Sequence, residues 1–201
     1  EKHRCPAFKR SLRVLRPDLG ISFDEYINYS FEPGFENFLK EILQLNEEEI
    51  NFMYTNWKID TADKIGIFYE EIKKFLLEFS DNGGIIGVVT HSDRRRIEID
   101  YIYNLGFIPE DIYSWELGND KRKPNPFPVF DIKEKYGLSN EEILVIDDLK
   151  PGFIMAKEAG VDFLWAGWAY NKPKFNEYMC TNAKYCIESL SKFVKLSKLI
   201  F

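Results

Sequence analysis

Cysteine is scarce: the 201 residues contain three, Cys5, Cys180 and Cys186. They are odd in number and lack close metal-ligand spacing, so plain thiols in a reducing, cytoplasmic compartment are the simplest expectation. Long apolar runs are also absent. None approaches the ~20 residues that a membrane-spanning helix requires, and no membrane partner is expected. A basic surplus is missing as well: 27 Lys and Arg face 33 Asp and Glu, for a net charge of −6. Proteins that grip nucleic acid through its phosphates normally carry a basic excess or stripe, which excludes nucleic acid as an expected partner. Internal repeats, low-complexity segments and a signal-peptide pattern are lacking too. The first residues, Glu1-Lys2-His3, include no Met, and the expectation is that a further N-terminal piece precedes them. What is present is ordinary globular material, 45% hydrophobic and 30% charged, enough for one or two domains with a sizeable core.

Residues 1–65 read as a helical domain. Ala7, Phe8, Leu12, Val14 and Leu15 fall at mixed three- and four-residue spacings until Pro17. Ser22 with Glu25 three residues on is a capping-box pattern that opens a second helix. Pro33-Gly34 interrupts it, and Phe35, Phe38, Leu39 and Ile42 resume a helical stripe. A further helix is expected from about Asn46 to Lys58, with Ile50, Met53, Tyr54 and Trp57 on one face. The period then changes. Ile72, Phe75, Leu76 and Phe79 form a stripe stopped by Asp81-Asn82-Gly83-Gly84, and short apolar runs follow at 85–89, 143–146 and 163–166. Helical patterns over 94–105, 127–136 and 152–159 separate them. This alternation predicts an α/β fold over residues 66–201, a Rossmann-like parallel-sheet core with helices on both faces.

Ligands of such sheets bind beyond the carboxyl ends of the strands, so the residues ending each run matter most. The first run ends in Thr90-His91-Ser92-Asp93 before a helix: a hydroxyl and free backbone N–H groups make an anion cradle, or Ser92 or Asp93 simply caps the helix. The second ends in Asp147-Asp148. Two adjacent carboxylates repel unless a cation joins them, and Mg²⁺ suits the position, being held by one or two carboxylates plus phosphate oxygens. The alternative is a solvated turn with Asp148 capping the next helix. Between them lies Lys121-Arg122-Lys123-Pro124-Asn125-Pro126. Its prolines stiffen the loop that carries Lys123, whose ammonium could neutralise a carboxylate and a phosphate together, unless the cluster is a solvated basic turn.

Thr90 after a strand, Lys123-Pro124-x-Pro126 33 residues on, and Asp147-Asp148 beginning 24 residues later resemble the haloacid dehalogenase superfamily of phosphatases and phosphomutases. The resemblance runs from Glu1 to about Ala169 and includes the connections Tyr103-Asn104-Leu105-Gly106-Phe107 and Ala156-Lys157-Glu158-Ala159-Gly160-Val161. It implies that residues 1–65 are a helical cap that closes over the substrate. It further implies that Thr90 hydrogen-bonds the transferring phosphoryl group, with the His91 backbone N–H and Ser92 beside it. Lys123 would hold nucleophile and phosphate against mutual repulsion, Asp148 would bind Mg²⁺, and Asp147 would take the adjacent acidic position. By the same resemblance His3 helps shuttle a proton, the alternative being a partly exposed histidine in a first helical turn.

One departure stands out. The family's nucleophile is the first Asp of an Asp-x-Asp motif on its first strand, and this sequence contains no Asp-x-Asp. Glu98-Ile99-Asp100 is the nearest likeness, but it lies within a predicted helix and follows Thr90. The expectation is that the nucleophile sits on a strand upstream of residue 1 and that the 201 residues alone are inactive. The implied function is Mg²⁺-dependent hydrolysis of a small phosphorylated metabolite, a sugar phosphate or phosphoglycolate, through an aspartyl-phosphate. The alternatives are a phosphomutase of the same fold and a non-catalytic relative that binds a phosphorylated ligand or a protein. Tyr26, Tyr29, Phe31, Tyr54 and Trp57 are expected mostly in the core or at the domain interface, with room for one or two to line the substrate pocket under the cap, while Trp165 and Trp168 could line core or pocket.

Overall fold

Side-chain caps start two of the helices of the first part of the chain. The computed structural model describes residues 4–200 and places there α1 (Arg4–Leu15), α2 (Phe23–Tyr29), the single turn α3 (Phe35–Asn37) and α4 (Glu47–Thr61). The expected box opens α2: the Ser22 hydroxyl accepts from the Glu25 N–H, and the Glu25 carboxylate accepts from the Ser22 N–H at 2.8 Å. Asn46 and Glu49 build a second box on α4. Arg16 pairs with Glu49 at 2.7 Å, and that hydrogen bond, with the cap, holds the Glu49 carboxyl below its usual range. The interruption at Pro33 is visible in Glu32, whose backbone is extended (φ −151°, ψ 123°) because a residue before proline is driven out of the helical region. Phe8, Leu12, Tyr26, Phe31, Phe38 and Leu39 form the buried centre of this unit. Ile42, the last residue of the expected stripe, is exposed.

A second compact unit begins at Ile65. It contains α5 (Glu70–Asp81), β1 (Gly87–Val89), α6 (Arg94–Leu105), β2 (Asp111–Tyr113) and α7 (Phe127–Tyr136). After these come β3 (Leu144–Asp147), α8 (Lys150–Ala159), β4 (Asp162–Ala166), α9 (Pro173–Asn182), β5 (Tyr185–Ile187) and α10 (Leu190–Ile200). The three predicted strands are β1, β3 and β4. β2 and β5 were not foreseen, because three-residue strands flanked by charged residues are too short to show a period. Every pairing is parallel: β1 with β2, and β3–β4–β5 with β4 in the middle. β4 is accordingly the most buried strand, with Leu164 and Trp165 sealed from solvent. Among the described residues β1 and β3 do not pair with each other. Both nevertheless meet one apolar cluster, since Val89 and Val145 pack on Val129, Met155 and Ala159 from α7 and α8. Elsewhere α5 packs against α10, with the Phe75 and Phe193 rings edge to face at 5.1 Å. The α/β core with helices on both faces agrees with the sequence expectation.

One expectation is corrected. Cys180, at the end of α9, and Cys186, in β5, are joined by a disulfide rather than being plain thiols. The sequence suggested otherwise because the pair becomes adjacent only when β5 forms. Cysteine usage therefore no longer argues for a reducing compartment. No described helix is long and apolar enough to cross a membrane.

Candidate functional site at the strand ends

At the end of β1 the backbone leaves the ladder in a hydrogen-bonded turn. The Thr90 N–H still donates to the Tyr113 carbonyl at 2.8 Å, while the Thr90 hydroxyl accepts from the Ser92 N–H at 3.0 Å. The Ser92 carbonyl accepts from the Trp115 N–H at 2.9 Å, which ties the exits of β1 and β2 together. The cap of α6 is Asp93, whose carboxylate accepts from the Arg96 N–H at 3.3 Å. Ser92 and Asp93 are both buried. The His91 ring lies edge-on to Trp115, with Nε2 2.9 Å from the Lys123 carbonyl oxygen.

The three consecutive cations of the Lys121-Arg122-Lys123 loop go to three different partners. Lys121 Nζ lies 4.5 Å from the centre of the Phe127 ring. Arg122 is 4% exposed, stacks 3.6 Å above the Trp115 ring, and donates to the Trp115 carbonyl and the Asn119 side chain. Lys123 Nζ lies 2.5 Å from Asp147 Oδ2, at side-chain exposures of 15% and 10%. The cluster is therefore no solvated turn. Arg122 and Trp115 were not singled out beforehand, since seven positions apart in a loop they follow no periodicity.

Asp147 closes β3 and is built to stay ionised. Burial pushes its carboxyl pKa up, but the charge and hydrogen bond of Lys123 and the Leu149 N–H at 2.9 Å outweigh burial and hold it below the usual carboxylate range. Gly152 allows α8 to approach, because a Cβ there would collide with the Asp147 side chain. Leu149, not Asp148, occupies the capping position of α8. Trp165 belongs to the core and donates from its indole N–H to the Asp148 carbonyl at 3.1 Å, anchoring the second acidic residue.

No group of three or more His, Cys, Asp or Glu residues able to hold a metal occurs among the described residues. A hard cation such as Mg²⁺ needs only one or two carboxylates with substrate oxygens and water. Both Asp147 oxygens already face donors, Lys123 and Leu149. Asp148 stands next to Asp147 as a second carboxylate, and either could contribute an oxygen to such an ion. His91, Lys123 and Asp147 come together directly, with Thr90, Ser92 and Asp148 adjacent in the chain. His3 lies outside the described residues.

The family described as haloacid dehalogenase-like hydrolase matches over residues 8–166. The phosphoglycolate phosphatase of Vibrio cholerae is 26% identical over 143 residues, spanning 66% of this chain and 62% of the relative. The chain thus covers less than two thirds of that curated relative. The fold is also similar to CbbY from Rhodobacter sphaeroides in complex with phosphate, at a TM-score of 0.74 and 16% identity over 96% of this chain and 89% of that one. A CbbY mutant in complex with xylulose-(1,5)bisphosphate superposes at a TM-score of 0.71 and 14% identity, over 95% and 88% of the two chains.

Proposed function

The chain belongs to the haloacid dehalogenase-like hydrolases, and on that premise we propose that it serves the Mg²⁺-dependent hydrolysis of a small phosphorylated metabolite, a sugar phosphate or phosphoglycolate. The observation that carries this reading is the buried Lys123–Asp147 pair at the tip of β3. Phosphoryl transfer depends chiefly on positioning and on neutralising charge at the equatorial oxygens. Asp147 orients the Lys123 ammonium, which faces the phosphoryl oxygens. The Thr90 hydroxyl and the backbone N–H of His91 donate to the same group, with Ser92 beside them. Mg²⁺ bound at Asp148 would supply further neutralising charge and a fixed geometry.

The nucleophile would be an aspartate of an Asp-x-Asp motif, absent from these residues, attacking phosphorus as the alcohol leaves to give an aspartyl-phosphate that water then hydrolyses. β1 and β3 meet one apolar cluster without pairing, an arrangement that suits an intervening parallel strand carrying this motif. Two of the similar proteins favour substrates of this size: one is a phosphoglycolate phosphatase, another was captured with a sugar bisphosphate. The test is phosphate release from a panel of phosphometabolites by protein expressed from the complete coding sequence, with and without Mg²⁺. Folded protein inert on the whole panel, or a coding sequence without Asp-x-Asp upstream of Glu1, overturns the proposal. Retention and return of a bisphosphate would replace it with a phosphomutase.

A further inference from the structure

We propose that the His91 side chain is a positioning residue for Lys123, its Nε2–H holding the loop from which the lysine reaches Asp147. The inference rests on the reading of Lys123 as the phosphate-neutralising group and names what aims it.

The hydrogen bond itself defines the donor. Nε2 lies 2.9 Å from the Lys123 carbonyl oxygen, and a carbonyl only accepts, so Nε2 carries the proton. In the neutral ring this selects one of the two tautomers. The ring has a fixed seat, since it lies edge-on to Trp115, whose own N–H is bonded to Ser92.

His91 is a second tether of this loop beside Arg122, which stacks on Trp115 and donates to its carbonyl. The N–H groups of Lys121 and Arg122 donate to the Gly118 carbonyl, and that of Asn125 to the Arg122 carbonyl. These bonds shape the loop without setting where it sits. Pro124 and Pro126 have no backbone N–H to add. The sequence His91 side chain to Lys123 carbonyl, then Lys123 ammonium to Asp147 carboxylate, is a polar bridge from the exit of β1 to the exit of β3. An error of about 1 Å in such a cation's placement is enough to impair transfer.

Two measurements on the complete protein test the proposal without requiring activity. Long-range proton–nitrogen NMR at about pH 8, above the ordinary imidazole value of ~6.5, should show His91 protonated at Nε2 and bare at Nδ1; the reverse tautomer overturns the proposal. Amine acetylation, read by mass spectrometry, should modify Lys123 roughly five- to tenfold faster in His91→Leu, the factor expected from losing one hydrogen bond. In His91→Gln, whose side-chain amide can donate to the same carbonyl, the rate should stay within about twofold of the native chain. Unchanged labelling in His91→Leu, or equal acceleration in both variants, overturns the proposal. Should His91→Leu fail to fold, all lysines label together and the tautomer decides. If the complete protein releases no phosphate while tautomer and labelling are as expected, the phosphatase reading falls and the positioning role stands.

Discussion

Two largely buried aspartates in the α/β unit are built from the same parts. Asp100 on α6 pairs with Arg96 Nε at 3.0 Å and accepts from the Gly66 N–H at 2.7 Å. Asp147 at the tip of β3 pairs with Lys123 at 2.5 Å and accepts from the Leu149 N–H at 2.9 Å. Their exposures are close, 13% and 10%. Each is crowded by a glycine whose added Cβ would meet its side chain, Gly66 or Gly152. What differs is where the partners come from. Arg96 is one helical turn from Asp100, and Asn104 one turn further donates to the Gly66 carbonyl and accepts from the Phe68 N–H. Together these side chains fasten the segment after Ile65 onto α6. Lys123 instead arrives from a loop 24 residues away, beside a second carboxylate and beyond a parallel strand. Burial and an ion pair do not by themselves make a site; convergence of distant groups at a strand end does.

That contrast is sharpest when the cations are removed. Lys123→Met and Arg96→Met should each destabilise the chain by about 3 kcal/mol in urea titrations, because each strands a buried carboxylate. Only Lys123→Met should abolish phosphate release from the complete protein. Equal loss of activity in both would erase the distinction. The glycines should come next. Gly152→Ala should cost about 2–3 kcal/mol, since the new methyl meets the near end of Asp147, and Gly66→Ala about 1–2, since it meets a terminal oxygen of Asp100 that can swing. Reversal of that order in thermal melts would show that α8 yields more readily than the packing implies.

A smaller effect is expected at Asn104→Ala, about 1 kcal/mol, with faster hydrogen exchange at the Gly66 and Phe68 amides and unaltered protection in β4. Unaltered exchange at those two amides would mean that α6 does not fasten this segment. The smallest effect should appear in acid. The carboxyl of Asp147 is held below its ordinary value of 3.8, so its contribution is full above that value and is lost as the pH falls through the depressed one. Native chain should therefore lose stability in acid more steeply below about pH 4 than Lys123→Met, in which the lysine's charge and hydrogen bond no longer hold the carboxyl down. Parallel acid limbs would show that Lys123 does not set the ionisation of Asp147.

How far the sequence could be read follows from the range of each interaction. Ser22 and Glu25 lie three residues apart, so their box was visible in advance, as was the break at Pro33. The apolar runs behind β1, β3 and β4 were also local signals. Thr90 and Asp147-Asp148 stand out because each follows an apolar run, and Lys123 because prolines stiffen its loop. Nothing local marked β2, β5 or the Cys180–Cys186 bond. Asp100 illustrates the reverse case: Glu98-Ile99-Asp100 resembled an acidic motif, and the fold gives Asp100 the backbone of Gly66 to hold.

The sequence by itself therefore determined the helical and α/β halves, the capping boxes, three strands and the chemistry available at two strand ends. Periodicity and caps act over a few residues, where the chain order alone decides who meets whom. Only the tertiary structure decided that Asp147 serves Lys123, that Arg122 lies on Trp115, and that His91 holds the lysine loop. Those pairs are 24, 7 and 32 residues apart, and such contacts exist only after parallel strands and their crossover helices have brought the loops to one edge.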